Sequence, residues 1–127
     1  MQGKHLYEYA VIRLVPKVER EEFFNVGIIL FSKRAKYIKA LYKVDENKLN
    51  LFSSELDRES LFANLHVFDK ICSGTKEGGP IAALDVPERF RWLTAVRSAS
   101  IQTSRPHPGF SDDLEQTLEI LFRELVL

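Results

Sequence analysis

The run Arg105-Pro106-His107-Pro108-Gly109 carries the residue types best suited to chemistry in this chain. Each proline biases the residue before it toward extended backbone. Arg105 and His107 would then point the same way, about 6–7 Å apart along a strand. A guanidinium fork beside an imidazole could hold a phosphate or a carboxylate. A helix is expected to start shortly afterwards, and free N–H groups at a helix start favour anions. Asp112 and Asp113 occupy that same helix start and would compete with an anion. Arg105 also shares strand parity with Ala99 and Ile101, so an internal ion pair is the alternative reading.

The run belongs to a wider stretch, Glu88–Gly109, which holds the only Trp and four of the nine arginines: Arg89, Arg91, Arg97 and Arg105. Arg89, Arg91 and Trp92 fall on a predicted three-turn helix. Trp and Arg together are the residues that interface hot spots use. The competing reading is a core Trp flanked by solvated or paired arginines. Lysines stop at Lys76, so the chain beyond it relies on Arg alone. Lys33, Arg34, Lys36, Lys39 and Lys43 interleave with Tyr37 and Tyr42. A basic, aromatic sheet edge could hold single-stranded nucleic acid, or the lysines could simply protect an edge strand.

Other chemistries find no support. His107 with Ser104 or Ser111 and Asp112 or Asp113 lacks a nucleophile elbow. His5, His66 and His107 are dispersed, without HExxH or Cys/His spacing, so no metal is expected. Gly78-Gly79 lacks the phosphate-loop frame and no G-x-G-x-x-G occurs, so no nucleotide cofactor is expected. The single Cys72 reads as a small core residue of a protein in a reducing compartment.

The elements that must position these residues follow from patterning. A length of 127 residues fits one domain, 1–127, with a core that needs no staple. A net charge of zero argues against a generic nucleic-acid coat or a polybasic membrane binder. MQGKHLYEY carries no apolar h-region, and no run approaches a membrane span, so a soluble, cytoplasmic protein is expected. Tyr7–Val15 reads as a strand stopping at Pro16, apolar on both parities and therefore central and covered on two sides. Phe23–Ser32 is a second strand, with Gly27 marking a bulge or a close backbone approach. Tyr37–Tyr42 is a third, its Lys39 placed at an edge. Asp45–Phe52 would make a turn or two of helix. Leu61, Leu65, Phe68 and Cys72 form one stripe of a helix from Asp57 to Cys72. Thr75–Ala83 reads as a loop. Asp85 should cap a helix to Ala95 with Phe90 and Leu93 inward and Trp92 a further candidate for that face, and Asp112 should cap the last helix with Glu115 completing the box. Ser98–Ser104 completes an α+β domain: a mainly antiparallel sheet of about four strands with helices packed on it, in the order β-β-β-α-α-β-α.

Three segments together resemble a known family: YEYAVIRLVP with EFFNVGIILF, RFRWLTAVRSASIQTSRPHPG, and SDDLEQTLEILF. They are similar to the bacterial domain-of-unknown-function family 3037, from Tyr7 to about Leu125. The family has no catalytic residue to carry over. The resemblance implies a small accessory protein, encoded near kinases similar to the persistence-toxin serine/threonine kinases. Matching positions are Asn25, Gly27, Arg91, Trp92, Arg97, His107, Pro108 and Gly109. Asn is depleted in strands, so the Asn25 amide is expected to satisfy a neighbouring loop, with the His107 turn as a candidate. The reading is a non-enzymatic binding or regulatory module. Its candidate binding residues are Asn25, Arg89, Arg91, Trp92, Arg97, Arg105 and His107, facing a protein partner or an anionic group on one. A nucleic-acid or nucleotide-binding component of a defence or toxin–antitoxin system is the alternative. Patterning leaves the oligomeric state open.

Overall fold

A computed structural model describes residues 4–17, 22–51, 58–95 and 101–127. Three strands come first: β1 (His5–Lys17), β2 (Glu22–Ser32) and β3 (Tyr37–Tyr42). Three helices follow: α1 (Glu46–Leu51), α2 (Arg58–Ser73) and α3 (Val86–Leu93), with two 3-10 turns before α3 at Lys76–Gly78 and Pro80–Ala83. β4 (Ile101–Thr103), β5 (His107–Ser111) and α4 (Leu114–Leu125) complete the chain. The sheet order is β3-β2-β1-β4, with β5 also pairing β1, and every pairing is antiparallel. The α+β class expected from patterning is the one observed, with β5 as an additional strand. β3 is an edge strand, as the exposed Lys39 implied.

Both parities of β1 are buried, each against a different layer. Ala10, Ile12 and Leu14 pack with Leu49 of α1, Leu61, Leu65, Phe68, Ile71 and Cys72 of α2, and Phe90 and Leu93 of α3. Val11 packs with Ile28, Leu30 and Leu114 and Leu118 of α4. The predicted α2 stripe is the buried one. Fully burying one such aliphatic side chain contributes about 1.5–3 kcal/mol, so β1 anchors two cores at once.

Pro16 does not end β1. The strand continues to Lys17, which pairs Glu22 across an irregularity following Leu14. Prolines are tolerated at such irregularities because the ladder is already interrupted. The cap of α4 also moves by one residue. Asp113, not Asp112, accepts from the Gln116 N–H, at 3.1 Å. Ser111 ends β5 and its Oγ accepts from the Asp113 N–H, which sets that register. Asp85 caps α3 as predicted, accepting from the Glu88 N–H at 3.1 Å.

Gly27 serves both roles its position suggested. Ile12 pairs Gly27 whereas Arg13 pairs Asn25, so Val26 is the extra residue of a bulge. A Cβ on Gly27 would lie 2.6 Å from the Leu41 carbonyl oxygen and 2.8 Å from Tyr42 Cβ. Neither β3 atom can swing away as a flexible side chain could. Gly27→Ala is therefore expected to cost about 1–3 kcal/mol through overpacking, read as a lower urea midpoint with an unchanged slope.

Candidate functional site

The bulge decides where Asn25 points. Regular alternation would place it with Ile29 and Phe31 in the α1–α3 core. The extra residue puts Phe24 and Val26 on that side instead, and turns Asn25 toward α4. Its Nδ2 donates to the Leu125 carbonyl at 2.9 Å. Last-turn carbonyls of a helix lack intrahelical donors, so Asn25 satisfies the end of α4 and not the His107 turn. Arg13, opposite Asn25, lays its guanidinium carbon 4.2 Å from the centroid of the Phe23 ring. Sequence reading did not single out Arg13, although it is the one charged residue among Tyr7, Tyr9, Val11 and Val15 of its parity.

The arginines separate. Residues two apart on a helix point in nearly opposite directions. Arg89 turns toward the end of α2, where a Cβ on Gly74 would lie 2.0 Å from its Nη1. Gly74 has φ +74°, a conformation glycine adopts without strain. Arg91 is exposed and lies 3.4 Å from Glu88 Oε1. Trp92 is 39% exposed, and it rims a hollow of about 220 Å³ with Asn64, Val67 and Leu93. Arg97 lies outside the described residues.

The Arg105–Gly109 run is not the lead-in to a helix. Ile12 pairs Thr103 and Tyr9 pairs His107, so three steps of β1 face four of the other chain. Arg105 and Pro106 occupy this second bulge, and Arg105 is exposed instead of buried with Ile101. Buried Ser104 anchors the corner, accepting from the Val11 N–H at 2.9 Å and donating to the Arg105 carbonyl. Its hydroxyl is thus occupied. His107 begins β5 with its ring 5.3 Å from that of Tyr9. Four residues of strand, about 13 Å, separate it from Ser111 and the start of α4. An anion held jointly by Arg105, His107 and that helix end does not fit this geometry.

Opposite residues in a ladder share a face, which splits the set further. His107 and Gly109 lie with Tyr9 and Tyr7 on the α4 side, whereas Pro108 and Phe110 lie with Glu8 and Leu6 on the α1–α3 side. On that second side a groove of about 360 Å³ opens between α3 and the β4–β5 corner. Pro87, Phe90, Arg91 and Thr94 wall it on one side, and Pro106 on the other, above Glu8, Phe31 and Lys33. Phe31 and Phe90 stack with centroids 4.8 Å apart, giving the groove a rigid base. A second hollow of about 310 Å³ continues from it over Leu6 and Pro108. Of the seven candidates, Arg91 lines the groove, and Arg105 precedes the Pro106 that lines it.

Matching the chain to known families gives one result. The family described as protein of unknown function, DUF3037, matches residues 9–126. The chain belongs to DUF3037. No curated protein and no solved structure matches it. The family match covers both bulges and every residue lining the groove except Glu8, and it brings no assigned chemistry to this DUF3037 chain.

Several other titratable groups are tied to structure. Burial, with Asp69 nearby, pushes the Cys72 thiol up to about 12, so it stays protonated. His66 is exposed, with Nε2 3.3 Å from Glu77 Oε2. Among the described residues no group of three His, Cys, Asp or Glu side chains converges, and no helix is long and apolar enough to cross a membrane. Tyr37 Oη donates to Glu115 Oε1 at 2.8 Å, and Lys39 Nζ approaches Glu115 Oε2 at 3.1 Å. The tyrosine and lysine read as a basic binding edge thus hold the first turn of α4.

Two outcomes follow. Asn25→Ala removes the donor to Leu125 and should cost about 1 kcal/mol, with faster amide exchange in the last turn of α4. The Tyr37 hydrogen bond, then Lys39, hold the Glu115 carboxyl below its ordinary value. A depressed carboxyl contributes stability above its unfolded pKa and loses it as pH falls through the folded one. Glu115→Gln should therefore flatten the acid limb of a stability-versus-pH curve and leave its shape at neutral pH unchanged.

Proposed function

We propose that this DUF3037 chain is a non-enzymatic, protein-partner-binding module. Its working surface is the groove between α3 and the β4–β5 corner. The observation that carries this reading is the groove's construction. Two stacked phenylalanines and two prolines form walls with little conformational entropy to lose on binding. Arg91 and Lys33 line it, and exposed Arg105 stands beside it. Arg over a rigid apolar floor is the composition of an interface hot spot. The cations suit an acidic or otherwise anionic group on the partner.

A binding role accounts for what the side chains here are doing. Ser104 is committed to the Val11 amide, and His107 lies against Tyr9 on the other face of the sheet. The kinase-like neighbour implied by the resemblance is the first partner to test, in the cytoplasm where such an accessory protein would act. The nucleic-acid alternative drew on Lys33, Arg34, Lys36, Lys39 and Lys43 with Tyr37 and Tyr42; Glu115 engages Tyr37 and Lys39 of these, and the groove supports the protein-partner reading better.

The test is affinity capture from the native host, quantified by mass spectrometry, with the wild type and an Arg91→Glu/Arg105→Glu variant. Both positions are exposed, so the variant should keep the wild-type unfolding midpoint. One protein should copurify with the wild type and fall at least roughly tenfold with the variant, since rim charges set association and partner choice. Equal capture by both removes this surface as the working one.

A further inference from the structure

We infer that the sheet corner formed by Leu6, Pro108 and Phe110 docks a second copy of this chain face to face, each copy's Lys33 meeting the other's Glu8. This goes beyond partner binding at the groove, because it assigns to self-association the adjoining surface, which shares Glu8, Phe31 and Lys33 with the groove. Leu6 and Phe110 are directly paired across β1 and β5. They are 54% and 69% exposed, and Phe110 is the most exposed large apolar side chain among the described residues. The α1–α3 layer that covers Ala10, Ile12 and Leu14 on this face stops short of them. A contiguous apolar surface left uncovered by its own fold marks an interaction site.

The adjoining strand edge is a poor place to dock. Val11 directs its N–H and carbonyl toward Ser104, and Leu6 directs its carbonyl toward Ser32 on the other side. Backbone direction alternates along a strand. Tyr9, Tyr7 and His5 therefore bond His107, Gly109 and Ser111, which leaves Pro108 and Phe110 facing outward. Pro108 has no N–H to offer, and a proline so placed blunts an edge against strand addition. What remains available is the face.

Charge identifies the occupant. Glu8 and Lys33 both line the hollow that holds Leu6 and Pro108. Neither forms an ion pair with another described residue. An acid and a base on the same apolar surface, neither ion-paired within the described residues, make that surface complementary to itself. A two-fold interface requires this, because each contact occurs twice with the roles exchanged.

Sedimentation equilibrium on the full chain tests the inference, with circular dichroism to confirm folding. The wild type should dimerise in the micromolar range. Phe110→Asp should weaken the dimer roughly 100-fold, since each lost contact counts twice. Its exposed position lets the monomer fold. Glu8→Lys and Lys33→Glu should each abolish the dimer, because each sets like charges against one another. The double variant E8K/K33E exchanges both signs and should restore it. A wild type that stays monomeric overturns the inference. So does a dimer indifferent to Phe110→Asp, or one that the double exchange fails to rescue when both single variants fold.

Discussion

Burial of β1 from both sides is the constraint on which the remaining packing depends. Ala10, Ile12 and Leu14 need one helical layer and Val11 needs another. The first layer comes from three consecutive helices. The second comes from α4 alone, at the far end of the chain. A single helix laid on a sheet must be held at both ends, and it is. Asp113 caps its start, Glu115 ties that turn to Tyr37 and Lys39 on β3, and Asn25 takes up the Leu125 carbonyl at its end.

Two bulges then re-aim side chains that regular strands would have sent elsewhere. The extra Val26 moves Asn25 from one face of the sheet to the other, where the end of α4 needs a donor. The extra residue at Arg105-Pro106 lifts that arginine out of the ladder and lets Pro106 wall a groove. Bulges commonly re-aim residues next to functional sites. Here one serves the scaffold and the other shapes the surface proposed to bind.

The arginine-rich stretch divides between the same two purposes. Arg89 packs over the Gly74 turn and Arg91 stands at the groove, though only Phe90 separates them in sequence. The helical angle already implied that separation. It does not say which of the two would turn inward. That depends on where α2 ends, and Gly74 with its positive φ sets that point. Trp92 shows the same dependence: an eight-residue helix turns Phe90 and Leu93 inward and leaves the indole on the rim.

Sequence by itself determined the elements whose signal is local or periodic. The double burial of β1, the α2 stripe, the Asp85 cap, the Gly27 irregularity and the exposed edge at Lys39 were all legible, because each depends on neighbours within a turn or a strand repeat. β5 was not legible, since two prolines and a glycine in His107–Ser111 and its lead-in read as loop. Tyr9, Tyr7 and His5, a hundred residues earlier in the chain, supply its backbone partners, and the Tyr7 ring lies over Gly109. Asn25 announced itself as an anomaly, yet its acceptor lies at the other end of the chain. Glu8 and Lys33 carried no signal at all. They come to line one hollow only because β1 and β2 run antiparallel. Tertiary structure alone decided these features, because each joins groups that chain connectivity keeps far apart.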